Sequence, residues 1–240
     1  MLVHRERGTK MAKHEDLISV HAPGKKDLHD LLTAWTRVVL RYCALHGYED
    51  NPWWANERAS LSTLAGAAWT LNNWCALEEF STKKRGKIPS DKVEDGGLTN
   101  GRCDLYLSNK KTSYVFEAKQ AWQSIGANAD GYNYLHKGME KAWEDAGCLS
   151  ADEANYRYAA TFIVPYVPKS HVEKHGVREL VEEWLSSGNI TPIGKGKLLY
   201  AYVFPGNWKE FISDKNKIAF PGVMLVLEER RRANKFAKSQ

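Results

Sequence analysis

Apolar positions recur along this chain at two periods, about 3.6 and 2, and their order predicts the architecture. Leu28, Leu31, Leu32, Trp35, Val38, Val39, Tyr42 and Leu45 follow helical spacing, and Gly47 supplies a stop. Asn51-Pro-Trp-Trp interrupts the pattern. Leu61, Leu64, Ala65, Ala68 and Leu71 then form the stripe of a second helix that begins near Asn56. Residues 75 to 82 are expected to form a strand leading into the basic loop Lys83-Lys-Arg-Gly-Lys87, and a Pro-, Asp- and Gly-containing connection covers 88 to 100. Two β-rich runs, 102 to 108 and 113 to 119, flank Asn-Lys-Lys-Thr and read as a hairpin. Tyr132, Leu135, Met139, Ala142, Trp143 and Ala146 return to helical spacing, and 158 to 167 is a buried strand. A helix through Val177 to Leu185 and strands at 198 to 204 and 222 to 227 complete the pattern. With no internal repeat or low-complexity linker, the expectation is one α/β domain over 26–240, a mixed sheet flanked by helices, preceded by an irregular arm at 1–25.

The hairpin gathers the chemistry. If Ser108 pairs with Ser113, Asp104 lies opposite Glu117, and the period of two puts Glu117, Lys119, Tyr106, Ser108 and Val115 on the face of Asp104. Cys103, Leu105, Leu107, Tyr114, Phe116 and Ala118 fall on the other, apolar face. A slip of one residue would destroy both patterns. Glu57 lies on the apolar stripe of the second helix, where a buried acid needs a partner. Two carboxylates beside an ammonium suit phosphodiester hydrolysis, in which a divalent ion polarises the phosphate and charge is neutralised around phosphorus. Asp104 and Glu117 are hard oxygen ligands appropriate to Mg²⁺, the Ala118 carbonyl can supply another oxygen, and Lys119 can orient the attacking water or hold a phosphate oxygen.

Composition narrows the setting. The 240 residues are 43% hydrophobic and include nine Trp, enough for a substantial core. No apolar run reaches bilayer length and the first residues lack a secretion-signal stretch, which points to a cytoplasmic protein without a membrane partner. The four cysteines lack metal-site spacing and are read as reduced and mostly buried. The formal charge of +5 is compatible with a polyanion, although the clusters at 83 to 87, 110 to 111 and 230 to 232 are each read first as solvated surface. His171 and His175 are read as a polar helix start, Gly194-Lys-Gly-Lys197 as a turn, and Trp53, Trp54, Trp69, Trp74 and Trp122 as core.

The segments Gly101-Arg-Cys-Asp104 and Tyr-Val-Phe-Glu117-Ala-Lys119 resemble the PD-(D/E)XK nuclease superfamily, whose motif is an acid, a short hairpin, then Glu or Asp, any residue, and Lys. The resemblance covers about 55–168 and implies a restriction-endonuclease-like fold in the order αβββαβ, here with N- and C-terminal additions. It implies a Mg²⁺-dependent endonuclease acting on DNA, with Mn²⁺ as a substitute. Asp104, Glu117, Glu57 and the Ala118 carbonyl would surround the metal, and Lys119 would stand at the water. Glu57 enters because many members place a glutamate on the first core helix; Glu78 and Glu79 are alternatives. Cys103 stands where members often have Pro, and no Gln-x-x-x-Tyr follows the lysine. Members that cut both strands commonly pair two sites, which leaves a homodimer open. The competing reading is a nuclease-like module that grips DNA or a protein without cutting.

Overall fold

The computed structural model describes residues 15–85, 98–126, 132–150, 152–213 and 215–230. Residues 1–14 of the expected arm, Lys87, most of the 88–100 connection, and Arg231 and Arg232 lie outside them. The elements run β1 (Leu17–His21), α1 (Lys26–Leu45), α2 (Glu57–Thr70), β2 (Cys75–Arg85), β3 (Leu98–Ser108), β4 (Ser113–Ser124) and α3 (Tyr132–Cys148). They continue with β5 (Tyr156–Pro168), α4 (Lys169–His175), α5 (Val177–Ser186), β6 (Leu198–Phe204), β7 (Ile212–Ser213), β8 (Ile218–Ala219) and β9 (Val223–Glu229). From α2 to β5 the succession is helix, three strands, helix, strand, as the pattern predicts.

The nine strands form one mixed sheet with the main path β1-β6-β9-β5-β4-β3-β2, while β7 and β8 join at its margin. The β4–β5 pair is parallel and is bridged by α3; the other pairings are antiparallel. Both faces are covered. Neighbouring residues such as Phe162 and Ile163, or Leu225 and Val226, belong to different apolar clusters. One cluster contains the inward stripes of α1 and α2, and the other those of α3, α4 and α5. Such double coverage explains why β5 and β9 read as nearly continuous apolar runs.

Local chemistry sets the boundaries. Asn56 caps α2 by accepting from the Ala59 N–H at 2.9 Å. In the hairpin turn the Asn109 carboxamide oxygen accepts from the N–H groups of Lys111 and Thr112, both at 2.9 Å. Gly222 permits close strand contact, since a Cβ there would stand 2.2 Å from the Val203 carbonyl oxygen.

Three expectations need correction. Leu17–His21, within the segment expected to be irregular, pairs with β6. Its three aliphatics, Leu17, Ile18 and Val20, form a short strand along an otherwise open edge. Lys83 to Arg85 belong to β2 instead of a loop, because the chain keeps pairing through Arg85↔Leu98. The tryptophans divide: Trp53 is core, Trp54 and Trp74 are half-buried, and Trp69 and Trp122 are exposed. Helical or strand spacing assigns a face, but only the neighbouring elements decide whether that face is covered.

Cys43 and Cys103 are buried, Cys75 and Cys148 are partly exposed, and all four are free thiols. Among the described residues no helix is long and apolar enough to cross a membrane.

Candidate active site

The hairpin has the predicted register from Ser108↔Ser113 to Leu105↔Phe116, where its ladder ends. Beyond that point β3 stays with β2 and β4 stays with β5, so the two strands part and leave a wedge. Parting strands strand their inward N–H groups, which must find other acceptors. Two acids provide them. Asp104 accepts from the Ala118 N–H at 2.8 Å, and Glu57, at the start of α2, accepts from the Gln120 N–H at 3.2 Å.

The strand parity changes at the same place. Leu105, Leu107, Tyr114, Phe116 and Ala118 enter the α1–α2 core as predicted. Cys103 does not; it packs with Val115 and Leu149, beside Phe80 and Tyr106. Val115, expected on the polar face, is therefore buried as well. Across from Asp104, between the pairs Glu78↔Leu105 and Phe80↔Cys103, Glu79 adopts a left-handed φ of 52°. This backbone irregularity accompanies the loss of simple alternation. Tyr106 packs against Phe80 at 5.6 Å between ring centres.

Lys119 Nζ donates to the Ala118 carbonyl at 2.6 Å and lies 3.3 Å from Asp145 and 3.8 Å from Glu57. Glu117 is 2% exposed, and its Oε1 is 2.7 Å from Lys84 Nζ. Gly101 makes room for that approach, since a Cβ there would meet the Lys84 stem at 3.1 Å. Four carboxylates, on Glu57, Asp104, Glu117 and Asp145, thus share the ammonium groups of Lys84 and Lys119. Burial, then repulsion from Asp104, pushes the Glu117 carboxyl up to about 7 against the pull of Lys84 and Lys119. Burial also raises Glu57, with Asp104 and Asp145 adding to the effect. For Lys119, burial disfavours the ammonium, yet Glu57, Asp104 and Asp145 outweigh it and hold its pKa above the ordinary value.

Glu57 is the third acid brought to the wedge. Glu78 instead accepts from Ser62, and Glu79 bridges Arg58 at 2.9 Å and Arg102 at 3.2 Å. Sequence reasoning missed Lys84 and Asp145. Alternation along β2 puts Lys84 on the side of buried Thr82, a signal hidden by treating 83 to 87 as one surface cluster. Asp145 sits three residues after Ala142 and beside Ala146, at the margin of the α3 stripe, and becomes visible only once α3 is laid against β4.

No family model, curated protein or solved structure matches this chain. The case for function therefore rests on the wedge. Its oxygen donors are hard and its acids exceed its bases, a composition that suits Mg²⁺ or Mn²⁺. Among the described residues no three His, Cys, Asp or Glu side chains converge as a ready-made cation cage. The acids are spread over two backbone N–H groups and two lysines, and a cation would have to draw them together.

Proposed function

We propose that the protein is a metal-dependent endonuclease of the PD-(D/E)XK type, hydrolysing DNA phosphodiesters at the β3–β4 wedge. The observation carrying this reading is the meeting of Asp104, Glu117, Lys119, Glu57 and the Ala118 carbonyl where two strands part, within a helix, three-strand, helix, strand succession. Asp104, Glu117, Glu57 and the Ala118 oxygen would hold the cation. When bound, it would polarise the phosphate and its attacking water. Lys119, kept charged by three surrounding acids, would hold a phosphate oxygen or orient that water, and release the Ala118 carbonyl as it does so. Burial and the neighbouring Asp104 disfavour the Glu117 carboxylate, and a cation held at its oxygens would offset both.

Incubating supercoiled plasmid with the protein in Mg²⁺, Mn²⁺ or EDTA tests the proposal. Cleavage in the first two and none in EDTA is expected, with Asp104→Asn and Lys119→Met each reducing the rate by about 10²–10³. Undiminished cleavage by both variants would refute it. The second reading, a module that binds DNA without cutting, is favoured by one observation: Lys84 and Lys119 already neutralise part of the acid set. It predicts salt-sensitive DNA binding that survives Asp104→Asn while no metal supports cleavage.

A further inference from the structure

At the end of the sheet where β5 and β6 begin and β9 stops, the chain forms a cleft of about 940 Å³. Trp143, Tyr158, Ile193 and Leu199 give it an apolar wall, and Lys25, Lys195, Lys197 and Arg230 also line it. The loop that carries Lys195 and Lys197, both exposed, is fixed in place. Glu228, 3% exposed, accepts from the Ile193 N–H at 2.9 Å and the Gly194 N–H at 2.6 Å. Gly194 lies so close to Trp143 that a Cβ there would collide with the indole. Arg230 is held on the same ring, its guanidinium carbon 4.3 Å from the ring centre. Its Nε is buried and has no acceptor among the described residues, an arrangement that is costly until a ligand supplies one.

We infer that this cleft is an anion site that binds the phosphate of an organic ligand on Lys195, Lys197 and Arg230. Its four cations stand against two carboxylates, Glu228 and Glu229, which leaves a net charge of +2. Lys25 is 3.0 Å from Glu229, and Glu228 spends its oxygens on the loop, so the surplus lies with the other three cations. A phosphomonoester carries about −1.5 to −2 at pH 7 and matches that surplus, whereas a carboxylate matches half of it. The guanidinium offers phosphate oxygens a fixed fork of donors, and the two ammonium groups add point charges. The cleft is larger than a phosphate and falls within the range of about 300–1,000 Å³ usual for small-molecule sites, so the organic body would rest on the apolar wall. The site is separate from the wedge. Asp145 of α3 reaches Lys119, while Trp143, two residues earlier and so about 200° around the helix, lines the cleft. The inference therefore does not rest on the nuclease reading. A free organic phosphate and a nucleotide within a DNA strand share this chemistry.

Isothermal titration calorimetry of the full chain at low salt in EDTA tests this, with ADP and an oligothymidylate lacking terminal phosphates as the probes. Wild type should bind at least one of them. Lys195→Ala/Lys197→Ala should weaken that binding by about 10- to 100-fold, and Arg230→Lys, which keeps the charge but loses the fork, by about 10-fold. Lys110→Ala/Lys111→Ala removes the same charge from the exposed hairpin turn and should leave binding unchanged. Thermal melting verifies folding of each variant. A loss read with ADP identifies a free organic phosphate as the ligand, and a loss confined to the oligothymidylate identifies a strand; either supports the site. Binding of neither probe by wild type, undiminished binding by Lys195→Ala/Lys197→Ala, or equal weakening by Lys110→Ala/Lys111→Ala would overturn it. None of these results depends on plasmid cleavage at the wedge, so the two readings fail separately.

Discussion

Replacing Glu117 with Gln removes a buried charge while keeping the shape of the side chain, and is expected to stabilise the protein above neutral pH. The folded state holds the Glu117 proton to about 7, against an ordinary value of 4.5. Because the folded form binds this proton more tightly than the unfolded form, stability is fully retained below pH 4.5 and falls as pH rises to about 7. At about 1.36 kcal/mol per pH unit over that interval, ionised Glu117 costs about 3 kcal/mol. Gln leaves Lys84 without its carboxylate partner, which returns part of the gain, so a net stabilisation of about 2 kcal/mol is expected at pH 8. In a domain of this size that corresponds to a melting point higher by about 4–8 °C. Urea unfolding in EDTA, followed by tryptophan fluorescence between pH 4.5 and 8, measures the difference between variant and wild type. The gap should open across this window and be near zero at its acid end. A difference that is the same at every pH would refute the claim that Glu117 is an incompletely compensated buried acid.

Three further outcomes follow from neighbouring contacts. Lys84→Met removes the ammonium beside Glu117 and should destabilise the protein by about 2–3 kcal/mol at pH 8, much of it recovered in Lys84→Met/Glu117→Gln; a double-mutant cycle measures the coupling. Asn56→Ala deletes the α2 cap and should cost about 1 kcal/mol in urea unfolding. Gly222→Ala drives a methyl group against the Val203 carbonyl and the Phe204 backbone, neither of which yields cheaply, and should lower stability by about 3 kcal/mol in the same assay.

What was legible in the sequence was local. Helical spacing located α1, α2, α3 and α5, and turn chemistry at Asn109 fixed the hairpin register from Ser108↔Ser113 onward. The grouping of Asp104, Glu117 and Lys119 was readable from hairpin alternation, a short-range feature, whereas Glu57 entered through the resemblance and its approach to β4 is seen only in the fold. The parting of β3 from β4 was not readable, since it depends on which outer strand each one follows. Cys103 accordingly changes sides, a reversal no period of two predicts. Lys84 and Asp145 come from β2 and α3, elements brought to the wedge by tertiary packing, so their charge contributions were invisible until the sheet order was known.

The most direct test of the wedge is a Mn²⁺ anomalous map from crystals soaked with and without a short oligodeoxynucleotide. A peak bounded by Asp104, Glu117 and the Ala118 carbonyl, with Lys119 moved off that carbonyl, is the predicted result. Ordered side chains, an accessible wedge and no peak in either soak would contradict the assignment of a metal-dependent nuclease site.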